Sequence, residues 1–215
     1  MSSILLLLND PAMAAHWQEV IRNAPGLEVD GCVHTVAEAR LAIARRTPDV
    51  LLADLQLGDG PAAKLFSELR ANGRAKRPEL LVAAASLDDP ALMEALRQGA
   101  DGYFIPGRSP DAMLVAIRLA LDGESPMAPT IARQIQNHFE AASIDPNDFV
   151  AETQNPLHLG DTERNLLKLV AEGKSTTEIG RELERTVHGV GVDLRSMYRK
   201  LQFDVRAGAL TLTLG

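Results

Sequence analysis

The feature that most constrains this chain is an alternation. Over roughly its first 120 residues, five short strand-like runs, most of them apolar throughout, alternate with five helix-like segments. The runs are Ile4 to Leu8, Leu27 to Val33, Val50 to Ala53, Leu80 to Ala85 and Gly102 to Ile105. Runs this short and this apolar read as strands covered on both faces, as in a parallel sheet. Strands separated by right-handed helical crossovers give a doubly wound α/β domain. Helix starts are marked between them: Asp10 before Pro11, Thr35, Pro61 after the Gly58-Asp59-Gly60 turn, Asp88 or Asp89 before Pro90, and Ser109 before Pro110. Each supplies a capping oxygen, a first-turn proline, or both.

The third run matters most for chemistry. Val50-Leu51-Leu52-Ala53 stops on a carboxylate, Asp54, and Leu55-Gln56-Leu57 leads into the Gly/Asp turn. In open α/β sheets, ligands bind beyond the carboxyl ends of strands. Asp54 stands where a site would be built, although a solvated Asp closing a strand reads the same from this stretch alone.

Asp122-Gly123-Glu124-Ser125-Pro126 ends the alternation. A helix from about Thr130 to Ala142 follows, with Ile131, Ile135 and Phe139 four apart on one narrow stripe. Ser143 to Pro156 holds two prolines and several acids and reads as linker. The rest is helical by pattern. Asp161 to Glu172 puts Leu166, Leu167, Leu169 and Val170 on one face, and Ser175-Thr176-Thr177-Glu178 matches a capping box. Thr186 caps a helix to about Leu201, and Asp204 caps a final turn or two. Short helices with tight connections suggest a helix-turn-helix. The division is therefore a domain over 1–122, a linker with one helix over 123–156, and an all-α domain over 157–215.

Composition narrows the class. No apolar run reaches the length of a membrane span, and no basic stretch precedes Ile4 to Leu8, so a cytoplasmic protein without a membrane partner is expected. Cys32 is the only cysteine, which excludes an intrachain disulfide and a cysteine-based metal site; it reads as a small core residue. The net charge of −7 is uneven. From Pro156 onward nine Lys/Arg meet eight Asp/Glu, leaving 13 against 21, a net of −8, upstream. A mildly basic end on an acidic chain fits nucleic acid, as it also fits a solvated helix face.

Val50-Leu51-Leu52-Ala53-Asp54-Leu55 and Glu94-Ala95-Leu96-Arg97-Gln98-Gly99-Ala100-Asp101-Gly102-Tyr103 carry a resemblance. So do Leu169-Val170-Ala171-Glu172-Gly173-Lys174-Ser175, Glu178-Ile179 and Arg199-Lys200-Leu201. The first domain resembles the receiver of bacterial response regulators, a flavodoxin-like five-stranded fold. The last resembles the LuxR-type helix-turn-helix. Together the chain looks like a NarL/FixJ-type response regulator over almost its whole length.

The resemblance implies that Asp54 is the phosphoacceptor. It implies Mg²⁺ held by Asp10, Asp54 and the carbonyl of Gln56, with Tyr103 as the switch aromatic. Three positions depart from the pattern. The acidic pair on the first strand is Asn9-Asp10, one charge short; the Thr/Ser of the fourth strand is Ala84; and the Lys of the G-Y-x-x-K motif is Pro106. Proline cannot supply the fixed cation that offsets a phosphoryl group. Arg108 and Ser86 are the neighbours that could substitute. The expectation is a degenerate receiver, with no cofactor required and at most a weakened Mg²⁺ site. A conventional phosphoswitch is the alternative.

For the second domain the resemblance implies double-stranded DNA as partner, with a recognition helix in the major groove. The family's T-V-K-x-H reads Gly189-Val190-Gly191-Val192-Asp193, so the Lys is lost and Asp193 repels phosphate. Glycines at Gly189 and Gly191 each weaken a helix by about 1 kcal/mol relative to Ala. Val192 and Arg195 match positions facing bases. Arg185, His188, Arg199 and Lys200 are in reach of backbone, and Thr176 and Thr177 open a helix suited to a phosphate. A homodimer is expected through Ser109 to Leu121 or Asp204 to Leu212, with a histidine kinase or another protein as input. The competing reading is an interaction module that binds no DNA. No nucleophile–base pair marks an enzyme.

Overall fold

Every residue from Ile4 to Leu8 is at most 2% exposed, and Val50 to Ala53 are fully buried. Only strands covered on both faces allow this. The computed structural model describes residues 1–71, 77–109, 111–142 and 159–213, with side chains through 205. The sheet strands are β1 (Ser2–Leu7), β2 (Leu27–Val33), β3 (Val50–Asp54), β6 (Glu79–Ala83) and β7 (Gly102–Phe104). All pair in parallel, in the order β2-β1-β3-β6-β7. Strand order therefore reverses at β1 and β3, the switch point where flavodoxin-like sheets place their site. Register brings Leu7 beside Ala53, Asp54 beside Ala83, and Ala83 beside Phe104.

Alternate side chains serve opposite faces. Ile4, Leu6, Leu8, Val50, Leu52 and Leu81 meet Trp17 and Ile21 of α1 (Pro11–Arg22) and Met113 and Ile117 of α5 (Ala112–Leu121). Trp17 stacks at a tilt on Phe104, centroids 5.3 Å apart. The remaining helices of this unit are α2 (Val36–Arg45), α3 (Ala62–Ala71) and α4 (Pro90–Gln98). Asp10 caps α1, Asp89 caps α4, and Thr35 with Glu38 forms a full capping box on α2.

Two starts differ from expectation. Pro61 does not open α3: it pairs in a two-residue ribbon, β4 (Gln56–Leu57) against β5 (Gly60–Pro61). A proline has no N–H to lose at such an edge. Ser109 does not cap α5, which begins at Ala112; its hydroxyl accepts the Asp111 N–H in a local turn. Pro110 lies outside the described residues. Cys32 is only partly buried, on edge strand β2 at the rim of the core.

The chain divides into two units, Met1–Gly123 and Glu124–Gly215. The second holds α6 (Pro129–Ala142), α7 (Asp161–Ala171), α8 (Thr176–Glu182) and α9 (Val187–Thr213). Ile131, Ile135 and Phe139 of α6 are buried, and α6 packs on α7 within this unit rather than standing in a linker. The expected linker residues 143–156 fall outside the described residues. The capping box of α8 forms as expected. The break before Asp204 does not. α9 runs on as one helix, no Gly or Pro interrupts residues 192–205, and the Asp204 carboxylate meets His138 of α6 at 2.6 Å instead of capping.

Candidate functional site

The carboxyl ends of β1 and β3 bring Asn9, Asp10, Asp54 and Gln56 together. Asp54 closes β3 half-buried, and its Oδ2 accepts the backbone N–H of Asn9 at 2.8 Å. The side-chain amide of Asn9 donates to the carbonyl of Gln56. Asp10 Oδ1 accepts the N–H of Ala12 at 2.8 Å, so this carboxylate caps α1. Burial pushes the Asp54 carboxyl above its ordinary range; the Asn9 N–H pulls it back, and nearby Asp10 raises it further.

Ala84 is fully buried just past β6, its N–H donating to the Phe104 carbonyl at 3.1 Å. Pro106 is half-buried two residues past β7, and Gly107 turns the chain with φ +78°. Arg108 is exposed beyond that turn. The Ser86 hydroxyl accepts the Asp88 N–H at 3.1 Å, within the turn before α4. Tyr103 is buried on β7. The β3–α3 loop is anchored from its other side, a contact that spacing alone gave no sign of. Asp59 accepts the N–H groups of Val36 and Ala37 at 2.8 and 3.0 Å, which seats its carboxylate on the start of α2.

In the second unit, α8 and the first turns of α9 form a helix-turn-helix. Thr176, Thr177, Arg185, His188 and Arg199 are exposed, and Val192 is 40% exposed. Arg185 lies 3.6 Å from Asp193, His188 is 2.6 Å from Glu124 and Lys200 is 2.6 Å from Glu163 of α7, so three of the four expected backbone contacts already face acids. Arg195 is buried, 2% exposed.

Glu124 was not singled out from the sequence. Its carboxylate bonds His188 Nδ1 at 2.6 Å and lies directly on Gly191. A Cβ on Gly191 would come within 2.3 Å of Glu124 Oε2. A glycine inside a helix was the available signal: it marks a close approach as often as a weak helix. Ser125 N–H donates to the Gly191 carbonyl, and the Tyr198 hydroxyl to the Pro126 carbonyl at 2.7 Å. The 124–126 segment is thus laid along α9.

Residues 157–213 match the family described as bacterial regulatory proteins, luxR family. Over 169 residues, 76% of this chain and 72% of the relative, the chain is 30% identical to the DNA-binding transcriptional activator DevR/DosR of Mycobacterium tuberculosis. This chain belongs to the NarL/FixJ-type response regulators. The regulator is also 26% identical to the nitrate/nitrite response regulator NarL of Escherichia coli, over 97% of this chain and 93% of NarL. Among solved structures, a LuxR-family two-component response regulator from Aurantimonas sp. SI85-9A1 is 25% identical. It covers 64% of the regulator and 97% of that chain, with a TM-score of 0.56. RcsB of Salmonella enterica serovar Typhimurium shares the fold over 94% of the regulator and 92% of RcsB, at 17% identity and a TM-score of 0.55. Among the described residues, no helix is long and apolar enough to cross a membrane.

Proposed function

We propose that the regulator binds double-stranded DNA to control transcription, and that its receiver works without the conventional aspartyl-phosphate switch. The first half rests on the luxR-family match and on the exposed polar row Thr176, Thr177, Arg185, His188 and Arg199 beside Val192. Thr176 and Thr177 offer a helix start to a phosphate, the arginines meet the backbone, and Val192 faces the bases. The 124–126 segment has to leave Gly191 before this face of α9 closes on a duplex.

The second half rests on one observation: Asp54 is a half-buried carboxylate beside Asp10, and the positions where the family has a hydroxyl and an ammonium are Ala84 and Pro106 in this chain. A phosphoryl group would add about two negative charges there. Burial and the neighbouring Asp10 already work against a negative charge on this carboxyl, and the Asn9 N–H favours it. We read the receiver as a module for pairing two copies or for a protein input.

Intact-mass spectrometry after incubation with Mg²⁺ and acetyl phosphate tests this. No mass increase is expected, and Asp54→Ala should shift genomic fragments in a gel as the parent does. A clear increase on the parent, lost in Asp54→Ala, would mean that another group such as Arg108 supplies the cation.

A further inference from the structure

The receiver fold implies a divalent cation at Asp10, Asp54 and the Gln56 carbonyl. The residues present do not fit one. A hard cation needs oxygen ligands turned toward it. Here one oxygen of each carboxylate already accepts an N–H, Asp10 Oδ1 from Ala12 and Asp54 Oδ2 from the Asn9 backbone, and the Gln56 carbonyl is taken by the Asn9 side chain. Asn9 also turns a donor toward that space, since only its NH₂ end can meet a carbonyl oxygen.

We infer that Asn9 is a built-in replacement for the cation: it ties the end of β1 to Asp54 with its backbone and to Gln56 with its side chain, so that the acidic pocket is complete without metal. In sequence the change from Asp to Asn looks like one lost charge. In the structure it is a reversal of polarity, from an acceptor that needs a cation to a donor that takes its place. The consequence reaches past the pocket. Gln56 begins the β4–β5 ribbon, and Asp59 at the tip of that ribbon is seated on the N-terminus of α2. The loop that follows Asp54 is therefore held at its start and at its tip by direct hydrogen bonds. Asn9 is a positioning residue for that loop. This inference deepens the reading of the receiver as one that does not use conventional phosphorylation.

The test uses the full chain and MgCl₂ as the probe. Trp17 is the only tryptophan and lies in the first unit, so its emission follows unfolding of that unit alone. A ligand that binds only the folded state raises the unfolding temperature with its concentration, so about 10 mM MgCl₂ at constant ionic strength reads out binding. The parent should show no shift. Asn9→Asp should unfold at a lower temperature without metal and recover several degrees with it. Asn9→Ala should be destabilised with no such recovery. The inference is overturned if the parent gains as much from Mg²⁺ as Asn9→Asp does, or if Asn9→Ala is as stable as the parent. Should Asn9→Asp fail to fold, Mn²⁺ binding to the parent by electron paramagnetic resonance decides alone, and saturable binding at millimolar ion overturns it. The readout is separate from phosphorylation. Labelling of Asp54 in a parent that ignores Mg²⁺ would remove the functional reading only; a Mg²⁺ response without labelling would remove this inference only.

Discussion

At the scale of single residues, Asp54 is the informative group, because its environment works against its own charge. Burial and Asp10 raise its pKa in the folded state, and the single Asn9 N–H offsets them only in part. The folded protein therefore holds this proton to higher pH than the unfolded chain does. The stability contributed by protonated Asp54 is full below the ordinary carboxylate range and is lost as pH rises through the raised folded value. Asp54→Asn keeps an acceptor for the Asn9 N–H and removes the charge. It should stabilise the first unit at neutral pH, with the gain shrinking toward zero as pH falls into the ordinary carboxylate range. Urea titrations of Trp17 emission at several pH values would show this, and a variant less stable than the parent at neutral pH would refute it. Asp101 is the opposite case. It is 1% exposed, pairs with the equally buried Arg70 at 2.6 Å, and accepts the Leu80 N–H at 2.9 Å. Arg70 also donates twice to the Gly99 carbonyl, and a Cβ on Gly99, at φ +135°, would lie 2.7 Å from Arg70 Cγ. Asp101→Asn leaves a buried guanidinium without its counter-charge and should cost about 3–5 kcal/mol in the same titration.

Among the elements, α9 departs furthest from expectation, and it shows what a sequence can and cannot reveal. Gly191 weakens the helix, yet the space it leaves holds the Glu124 carboxylate. In Gly191→Ala the clash falls on the flexible end of Glu124, so the carboxylate swings away and the helix persists. Helix propensity returns about 1 kcal/mol. The lost pair with His188, whose side chain is 63% exposed, is worth no more than about that. Net stability should change by less than about 1 kcal/mol in a urea titration followed by circular dichroism. A large loss of stability would mean that the 124–126 segment cannot yield. The strands of the first unit were legible because a doubly covered strand leaves an unbroken apolar run, as Val50 to Ala53 does. The doubly wound, five-stranded parallel sheet followed from the alternation and the resemblance together. The meeting of Asn9, Asp10, Asp54 and Gln56 at the ends of β1 and β3 followed from the same register. What was not legible depends on contacts far apart in the chain. Asp204 looks like a cap until His138 is found opposite it. Arg195 and Lys200 look like DNA contacts until one proves buried and the other is seen to pair with Glu163. Glu124 reads as linker until Gly191 is placed beside it.

For the whole molecule the question is what it assembles with. Val115 on α5 is 51% exposed, an apolar side chain on one of the two stretches from which pairing is expected. We expect sedimentation to show a homodimer without phosphorylation at micromolar concentration; a monomer alone would count against it. The DNA face can be dissected by charge, because its basic residues are not in equivalent positions. Arg199 is exposed on α9, so its guanidinium can meet a phosphate directly. Lys200 is mostly covered and held by Glu163, so moving it to DNA would break an ion pair between α7 and α9. Each phosphate contact releases counterions and contributes about 0.9 to the slope of log affinity against log salt. Arg199→Ala should therefore flatten the slope by about that amount and weaken binding to all sequences alike. Lys200→Ala should leave the slope near the parent's value and lower the unfolding temperature of the second unit instead. Arg195 separates the two kinds of contact. If it leaves its buried position to read a base, Arg195→Ala costs about 1–3 kcal/mol on the preferred sequence and little on random DNA. Filter-binding titrations of the three variants at several salt concentrations check all of this. Slopes that change for Lys200→Ala and not for Arg199→Ala would mean that the duplex approaches from the α7 side, with the Lys200–Glu163 pair opened on binding.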